Sequence, residues 1–227
     1  MFGTTMMFAA TKIAGTGRDE YEPDGPIAKQ IAAVTPYFPF KGIPRFYDIG
    51  GFLKEPAVFA LTMQVLFERY KDQEIDSICG LDARGFVLGP PLALALGKPF
   101  FMMRKKGKMP NAVYGAAYTK EYAGSDSLGL PRDAVKKGDR VLVVDDLVAT
   151  GGTLKAAIKL IQLFEGVVVE CACIVEIKGL DARAAFDAED FQAVPIWAMM
   201  SEDILLNDGM ANANIPTDGY ADDGEAH

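Results

Sequence analysis

Four short apolar runs in the middle of the chain predict β-strands. They lie at 74–80, 99–104, 138–146 and 167–177, and the clearest is GDRVLVVDD at 138–146, whose consecutive apolar residues include three valines. An apolar run without polar alternation is typical of a parallel strand that is covered on both faces. The pattern therefore favours a buried, mainly parallel sheet.

Two helices are predicted between these strands. The first lies in FVLGPPLALALG from residue 86, where Pro90 and Pro91 predict an early kink or a late start. The second, TLKAAIKLIQLFEG from residue 153, ends at Gly166. Strand, helix and strand follow one another as in a βαβ unit. The predicted fold class is therefore α/β, a mainly parallel twisted sheet flanked by helices.

Charge is unevenly distributed along the 227 residues. The chain has 31 acidic and 23 basic side chains, a formal net charge of −8, but residues 201–227 contain seven of the acids and no Lys or Arg. Residues 1–200 are thus nearly neutral, and the net charge does not exclude an anionic ligand. From residue 207 the sequence has no periodicity, which predicts an acidic, disordered tail over 207–227.

The rest of the chain is predicted to form one domain over residues 26–206. Residues 1–25 are loop-like, with no basic segment before their short apolar patch, which predicts a flexible leader rather than a secretory signal. No run reaches the roughly 20 apolar residues of a membrane span. We therefore expect a cytoplasmic protein that does not contact a membrane.

Cysteine and histidine usage excludes several kinds of site. Cys79, Cys171 and Cys173 form no CxxC pair and lie in apolar runs, which predicts buried, reduced thiols in an intracellular protein. The single histidine is His227. Catalytic triads and zinc sites that depend on histidine therefore lack their central member.

The segment VLVVDDLVATGGT at 141–153 carries the most chemical information. A strand ends in two adjacent carboxylates, Asp145 and Asp146, and a loop of small residues leads into a helix. Ligands of open α/β sheets bind beyond the carboxyl ends of strands. Exposed backbone N–H groups and the positive helix end suit a phosphate monoester. The loop residues are Ala149, Thr150, Gly151, Gly152 and Thr153.

The two carboxylates suit a different part of the same ligand. They would repel a phosphate, but they can accept hydrogen bonds from two sugar hydroxyls or hold a hydrated Mg²⁺. One ligand with a phosphate, a diol and a metal would use every feature of the segment. The alternative is an ordinary solvated turn with a threonine N-cap.

The segment at 141–153 resembles the 5-phosphoribosyl-1-pyrophosphate (PRPP) motif of the type I phosphoribosyltransferases. Three further segments, in order along residues 36–200, resemble the branch of that family that acts on adenine: DARGF at 82–86 with GPPLA after it, RKKGKMP at 104–110, and YTKEY at 118–122. The resemblance implies that adenine and PRPP give AMP and pyrophosphate, with Mg²⁺. It also implies a homodimer that binds no nucleic acid.

The first of these segments follows the strand at 74–80. An arginine beside a glycine at a helix start suits a second anion. The resemblance assigns Asp82, Ala83 and Arg84 to pyrophosphate, gives Arg84 a catalytic role, and implies a strained or cis peptide between Asp82 and Ala83. The alternative is a helix start that Asp82 caps, with Arg84 in solvent.

A basic segment lies between the strand at 99–104 and a hairpin predicted to turn at Gly124–Asp126. Such a charge run is often only a solvated surface, but here it can form a mobile flap, placed at 104–122, that closes over the leaving pyrophosphate. The resemblance makes Arg104 a catalytic cation and Lys105 and Lys108 pyrophosphate contacts.

Glu121 lies in the same flap. By resemblance this carboxylate takes part in proton transfer at the purine, and a carboxylate in an apolar flap can have a raised pKa suited to accepting a proton. An isolated glutamate on a strand can equally face solvent. The residue types leave both interpretations open.

The base-binding hood is predicted over 36–60. Ile43, Phe46 and Leu147 could enclose a flat heterocycle, with Tyr47 beside them. The family pattern commonly runs Phe-Arg-Asp, whereas this chain has Arg45-Phe46-Tyr47-Asp48. Phe46 and Tyr47 could also be ordinary core residues.

Two other functions remain open at this point. One is a phosphoribosyltransferase for hypoxanthine, xanthine or orotate, because the base-binding segment departs from the family pattern. The other is a non-catalytic regulator that senses PRPP or nucleotides. No segment resembles a helix-turn-helix, which disfavours a DNA-binding regulator.

Overall fold

The computed structural model describes residues 21–40, 42–116, 118–119, 125–189 and 191–211, with 118–119 and 125–126 as backbone only. The elements in chain order are α1 (Pro26–Ala32), β1 (Pro36–Phe40), β2 (Ile43–Tyr47), α2 (Gly50–Leu53), α3 (Pro56–Tyr70), β3 (Ser77–Leu81), α4 (Gly85–Leu96), β4 (Phe100–Lys105), β5 (Ala112–Tyr114), β6 (Tyr118–Thr119), β7 (Ser125–Asp126), β8 (Leu128–Pro131), β9 (Arg140–Val148), α5 (Gly152–Leu163), β10 (Val167–Glu176), α6 (Ala182–Asp187), β11 (Ile196–Ser201) and β12 (Asn207–Asp208).

The chain divides into two compact units. Residues 63–199 form the larger unit, and the smaller unit joins the described residues before 63 to those from 200 onward. In the larger unit seven strands form one sheet in the order β11-β10-β9-β3-β4-β8-β5. Strands β10, β9, β3 and β4 are mutually parallel, and β8 and β5 add an antiparallel edge. The predicted α/β fold with a mainly parallel sheet is confirmed.

Helices cover both faces of this sheet. Buried side chains of α5, including Leu154 and Ile158, share one apolar core with Cys79 and Val143. Helix α4 packs against β3 and β9 on the opposite face. The connection β3-α4-β4 runs toward one edge of the sheet and β9-α5-β10 toward the other. Two right-handed crossovers that run in opposite directions place their helices on opposite faces. The three cysteines are buried free thiols, as predicted.

Helix α4 begins earlier than its sequence suggests. It starts at Gly85 and continues through Pro90 and Pro91 to a left-handed C-terminal glycine, Gly97, at φ 65°. The prediction of a late start was wrong. Tertiary packing holds the first turn, because a side chain at Gly85 would lie 2.4 Å from the backbone oxygen of Val144.

The hairpin after β4 is present, with a different turn. Strand β8 pairs with β5, and β7 pairs with β6 through Thr119 and Ser125. Ser125 and Asp126 therefore belong to a strand rather than to the predicted turn. Residues 120–124 lie outside the described residues.

The smaller unit contains a three-stranded sheet in the order β12-β1-β2. Strand β12 pairs in parallel with β1, and the Asn207 side chain donates a hydrogen bond to the Ala33 carbonyl. Regular structure thus continues past residue 206, where the tail was predicted to begin. Near the other end, Asp24 accepts hydrogen bonds from the backbone and hydroxyl of Ser201 at 2.7 and 2.8 Å. Residues 1–20 and 212–227 lie outside the described part of the chain.

A largely buried ion pair connects helix α3 to strand β10 of the sheet in the larger unit. The Arg69 guanidinium donates two hydrogen bonds to the Glu170 carboxylate, both at 2.8 Å, and the Tyr70 hydroxyl donates a third at 2.6 Å. Arg69 also lies over the Trp197 ring, 4.7 Å from its centroid. None of the helices in the described ranges is long and apolar enough to cross a membrane.

Candidate active site

The carboxyl edge of the sheet has a crevice between β9 and β3. Strand β3 leads through α4 to β4 on one side, and β9 leads through α5 to β10 on the other. Such a reversal of direction opens a ligand crevice at the carboxyl ends of the two strands. Pairing of β9 with β3 stops at Val144, whereas pairing with β10 continues to Val148. Residues 145–148 therefore extend beyond β3 into the crevice.

The two carboxyl groups of β9 interact with each other but differ in burial. Asp145 lies opposite Cys173 in the pairing of β9 with β10, and the Asp146 carboxylate lies beside Arg84. Asp146 is 5% exposed, whereas Asp145 retains more accessible surface. One carboxylate oxygen of Asp145 accepts a 2.9 Å hydrogen bond from the Asp146 backbone N–H. The sequence alone shows that the carboxylates are adjacent but not that they differ in burial.

Burial raises the pKa of both carboxyl groups. For Asp145 the main cause is desolvation, the charge of Asp146 adds to it, and its pKa lies well above the ordinary value of 3.8. Desolvation also raises the pKa of Asp146, and the nearby Arg84 charge opposes that rise. The site therefore holds two carboxyl groups whose ionised forms need a cation or hydroxyl donors.

Asp145→Asn is expected to stabilise the fold near neutral pH. Because the folded state favours protonated Asp145 more than the unfolded chain does, stability is lost as the pH rises from 3.8 through the raised pKa. Asparagine cannot ionise and can still accept the Asp146 backbone bond. We expect a gain of about 1 kcal/mol, or about 2–4 °C in Tm, near pH 7.5.

Thermal unfolding monitored by circular dichroism at several pH values measures this difference. It should shrink as the pH falls, because wild-type Asp145 becomes increasingly protonated. Asp72→Asn, on an exposed aspartate, is the matched control and should show no such trend. A gain that is independent of pH would contradict the explanation.

The loop after β9 forms a helix start that no side chain caps. Gly151 is the N-cap of α5 at φ 78°, and its Cβ position lies 2.9 Å from the Phe186 ring, so glycine fits there on both counts. The alternative of a threonine N-cap is wrong. First-turn N–H groups that lack a side-chain cap are suited to an anion. Ala149, Thr150, Gly152 and Thr153 lie beside Gly151, between the end of β9 and the first turn of α5.

The loop after β3 brings an arginine to the same crevice. The peptide between Asp82 and Ala83 is cis, as the resemblance implied. Arg84 extends to Asp146, with 3.0 Å between Arg84 Nε and Asp146 Oδ2. Oδ2 is buried and accepts no hydrogen bond from any residue described here, because the N–H direction does not align with it.

Asp82 contacts the flap rather than capping α4. Its Oδ2 lies 3.4 Å from Arg104 Nε and 3.5 Å from the Lys105 backbone nitrogen. The N-cap of α4 is Arg84, without a side-chain hydrogen bond, so the alternative of a helix capped by Asp82 is wrong. The carboxylate of Asp82 thus orients a cation instead of approaching an anion itself.

The start of the basic segment forms a compact turn. Arg104 donates a hydrogen bond to the Lys108 carbonyl at 2.9 Å, and Gly107 turns the chain at φ 82°. Lys108 is exposed, and Lys105 is partly exposed at the end of β4. Glu121 lies outside the described residues.

The residues predicted to bind the base divide between the units. Within the smaller unit, Phe46 packs on Phe40 with 4.9 Å between ring centroids, and both Ile43 and Phe46 keep accessible surface. Tyr47 is 4% exposed, which fits a core residue. Arg45, the displaced arginine, lies over the Tyr37 ring at 5.0 Å. Leu147 of the larger unit is partly exposed on β9.

Comparison with known proteins defines the class. The model of the phosphoribosyl transferase domain matches residues 49–194. Adenine phosphoribosyltransferase 1 of Triticum aestivum is 48% identical over 157 residues, which cover 69% of this chain and 85% of the relative. The enzyme of Psychromonas ingrahamii is 48% identical over 145 residues, 64% and 79% of the two chains.

Solved structures agree with the sequence relatives. Adenine phosphoribosyltransferase from Rhodothermus marinus has a TM-score of 0.68 at 37% identity, over 77% of this chain and 98% of the other. The enzyme from Trypanosoma brucei, solved with AMP, pyrophosphate and ribose-5-phosphate, has a TM-score of 0.75 at 30% identity, over 83% and 86%. The chain belongs to the adenine phosphoribosyltransferases of the phosphoribosyltransferase family.

Proposed function

We propose that this protein transfers the phosphoribosyl group of PRPP to adenine and forms AMP and pyrophosphate. The observation that carries the proposal is the crevice at β9, where an uncapped helix start, a carboxylate with an unbonded oxygen and an arginine converge. Those groups complement the phosphate, the diol and the pyrophosphate of one substrate. Related enzymes named for adenine support the choice of base.

Each group has a role in displacement at C1 of the ribose. Residues 149–153 anchor the 5′-phosphate, and Asp145 and Asp146 hold the ribose hydroxyls and favour the positive charge that develops on the sugar. The Asp82–Ala83 loop and four cations stabilise the departing pyrophosphate. These cations are Arg84, Arg104, Lys105 and Lys108. The purine N9 forms the new bond to C1 as the bond from C1 to pyrophosphate breaks, and the N9 proton passes to Glu121.

The donor set fits Mg²⁺ bound together with PRPP. Mg²⁺ commonly takes one or two carboxylates along with substrate phosphates and waters. Asp146 Oδ2, buried and without a hydrogen bond from the described residues, is a suitable ligand, and Asp145 is the second candidate. When bound, the ion would neutralise charge on the pyrophosphate.

We assign contacts with the base to Ile43, Phe46, Tyr47 and Leu147. The accessible rings and aliphatic groups among them suit a flat heterocycle. Tyr47 is buried and meets Tyr37 edge-on, with 6.3 Å between ring centroids, so it supports strand β2 from the core side.

We place the enzyme in the cytoplasm as a homodimer. The three buried free thiols fit a reducing compartment. Val87 and Leu94 lie seven residues apart on α4, on one stripe of the helix, and are 40% and 71% exposed. An exposed apolar stripe supports burial against a second copy. Size-exclusion chromatography with light scattering tests the dimer.

Turnover assays with PRPP and each of four bases test the proposal. Adenine should release pyrophosphate and form AMP, whereas hypoxanthine, xanthine and orotate should not. Activity with only one of those three bases would identify that base, rather than adenine, as the substrate. Binding of PRPP without release of pyrophosphate when adenine is present would instead favour a regulator.

A further inference from the structure

We propose that the ion pair between Arg84 and Asp146 couples the two halves of the site, so that pyrophosphate and the ribose hydroxyls promote each other's binding. The inference rests on the proposed function. It assigns to Asp146, besides a ligand contact, a positioning role toward Arg84. Before substrate binds, the pair holds the guanidinium away from an incoming pyrophosphate.

The geometry identifies which partner can move. Asp146 is fixed in β9, and its side chain is 6% exposed. Arg84 is 35% exposed and belongs to the loop before α4. The 3.0 Å contact between Arg84 Nε and Asp146 Oδ2 lacks hydrogen-bond alignment, so Oδ2 retains its capacity to accept one. Such a contact can be exchanged for a better donor without loss of a hydrogen bond.

Each ligand needs a group that the pair occupies. A ribose hydroxyl needs Asp146 Oδ2, and pyrophosphate needs the Arg84 guanidinium. When the hydroxyl binds, Arg84 loses its closest carboxylate and can form charge-assisted hydrogen bonds to pyrophosphate. When pyrophosphate binds first, Asp146 is released for the hydroxyl. A single break of the ion pair therefore frees one group for each ligand. Because the two binding free energies are thermodynamically linked, each ligand raises the affinity for the other by the same factor.

The second ion pair at this edge provides a matched comparison. Asp82 holds Arg104 at 3.4 Å, and its side chain is also 6% exposed. Both arginines are assigned to pyrophosphate, but Asp82 is not assigned to the ribose. Removing its charge should change the affinity for pyrophosphate equally with and without a ribose ligand. A loss of coupling on removal of the Asp146 charge but not of the Asp82 charge would therefore distinguish a specific role of Asp146 from a general effect of negative charge.

Calorimetric titration of pyrophosphate into the full-length protein tests the inference. It is carried out with and without saturating ribose 5-phosphate, in buffer with a chelator so that no metal bridges the ligands. In the wild type, ribose 5-phosphate should tighten pyrophosphate binding by about tenfold, within the usual range of couplings. This enhancement would oppose the repulsion between two anionic ligands.

The variants then assign the coupling to a residue. Asp146→Asn should bind pyrophosphate alone more tightly than the wild type does, by about the same factor, and ribose 5-phosphate should add nothing further. Asp82→Asn should retain the wild-type enhancement. The reverse titration in the wild type, ribose 5-phosphate with and without pyrophosphate, must give the same factor.

Two results would overturn the inference: wild-type pyrophosphate affinity that ribose 5-phosphate does not increase, or an enhancement that persists in Asp146→Asn. The wild-type comparison stands even if a variant fails to fold. No base is present in these titrations, so failure of the adenine assay leaves them unaffected. An active enzyme without coupling would contradict this inference alone.

Discussion

Asp146→Asn is expected to lower the turnover of PRPP and adenine by at least about 10²-fold. Asparagine preserves the shape of the side chain but removes the charge that favours positive charge on the ribose ring in the transition state. It also removes an anionic ligand for Mg²⁺. Initial rates at saturating substrate, measured as release of pyrophosphate, give the effect on kcat.

Stability should change little in the same variant. Burial already disfavours the charge of Asp146, and its partner Arg84 is partly exposed. Asp139→Asn, far from the crevice at the amino end of β9, is a control that should keep wild-type turnover. A wild-type rate in Asp146→Asn would remove the role assigned to this carboxylate. A large fall in Tm would assign the loss of activity to unfolding instead.

Glu170→Ala is expected to lower the free energy of unfolding by about 3–5 kcal/mol. The side chain of Glu170 is 8% exposed and accepts three hydrogen bonds, two from Arg69 and one from Tyr70. Truncation leaves the Tyr70 hydroxyl buried without this acceptor and the half-buried guanidinium of Arg69 without its carboxylate. Removal of one partner of a buried pair costs more than the pair itself contributes.

Chemical denaturation followed by circular dichroism measures this loss. Glu189→Ala is the matched control, because Glu189 also pairs with a cation, Lys155 at 2.7 Å, but its side chain is 49% exposed. It should leave the denaturation midpoint almost unchanged. Glu170→Gln, which can still accept hydrogen bonds, should lose less than Glu170→Ala. Equal losses for Glu170→Ala and Glu189→Ala would show that burial does not determine the cost.

Local pattern was sufficient for the elements that build the site. The apolar run at 138–146 predicted β9, and the small residues after it predicted the loop before α5. Both depend on short-range chemistry, since apolar continuity marks a buried strand and glycines mark an exposed backbone. The order of strands and helices likewise predicted a parallel sheet, because crossover connections are what join parallel strands.

Local pattern failed where a distant contact changed the outcome. Pro90 and Pro91 predicted an early kink or a late start, yet α4 begins at Gly85, where glycine fits against β9. Residue 207 was predicted to begin a tail, yet it pairs with β1. At residue 207 a strand remote in the chain supplies the backbone partner, and at Gly85 the close approach of β9 requires a residue without a side chain. No local propensity records either contact.

The sequence by itself determined which chemical groups this protein has: a phosphate loop, two adjacent carboxylates, and arginines after two separate strands. Only the tertiary structure decided how those groups are paired. It buries Asp146 more deeply than Asp145, sets Arg84 against Asp146, and sets Arg104 against Asp82. The physical reason is that charge and hydrogen-bonding capacity belong to each residue, whereas distance and burial depend on which strands lie side by side.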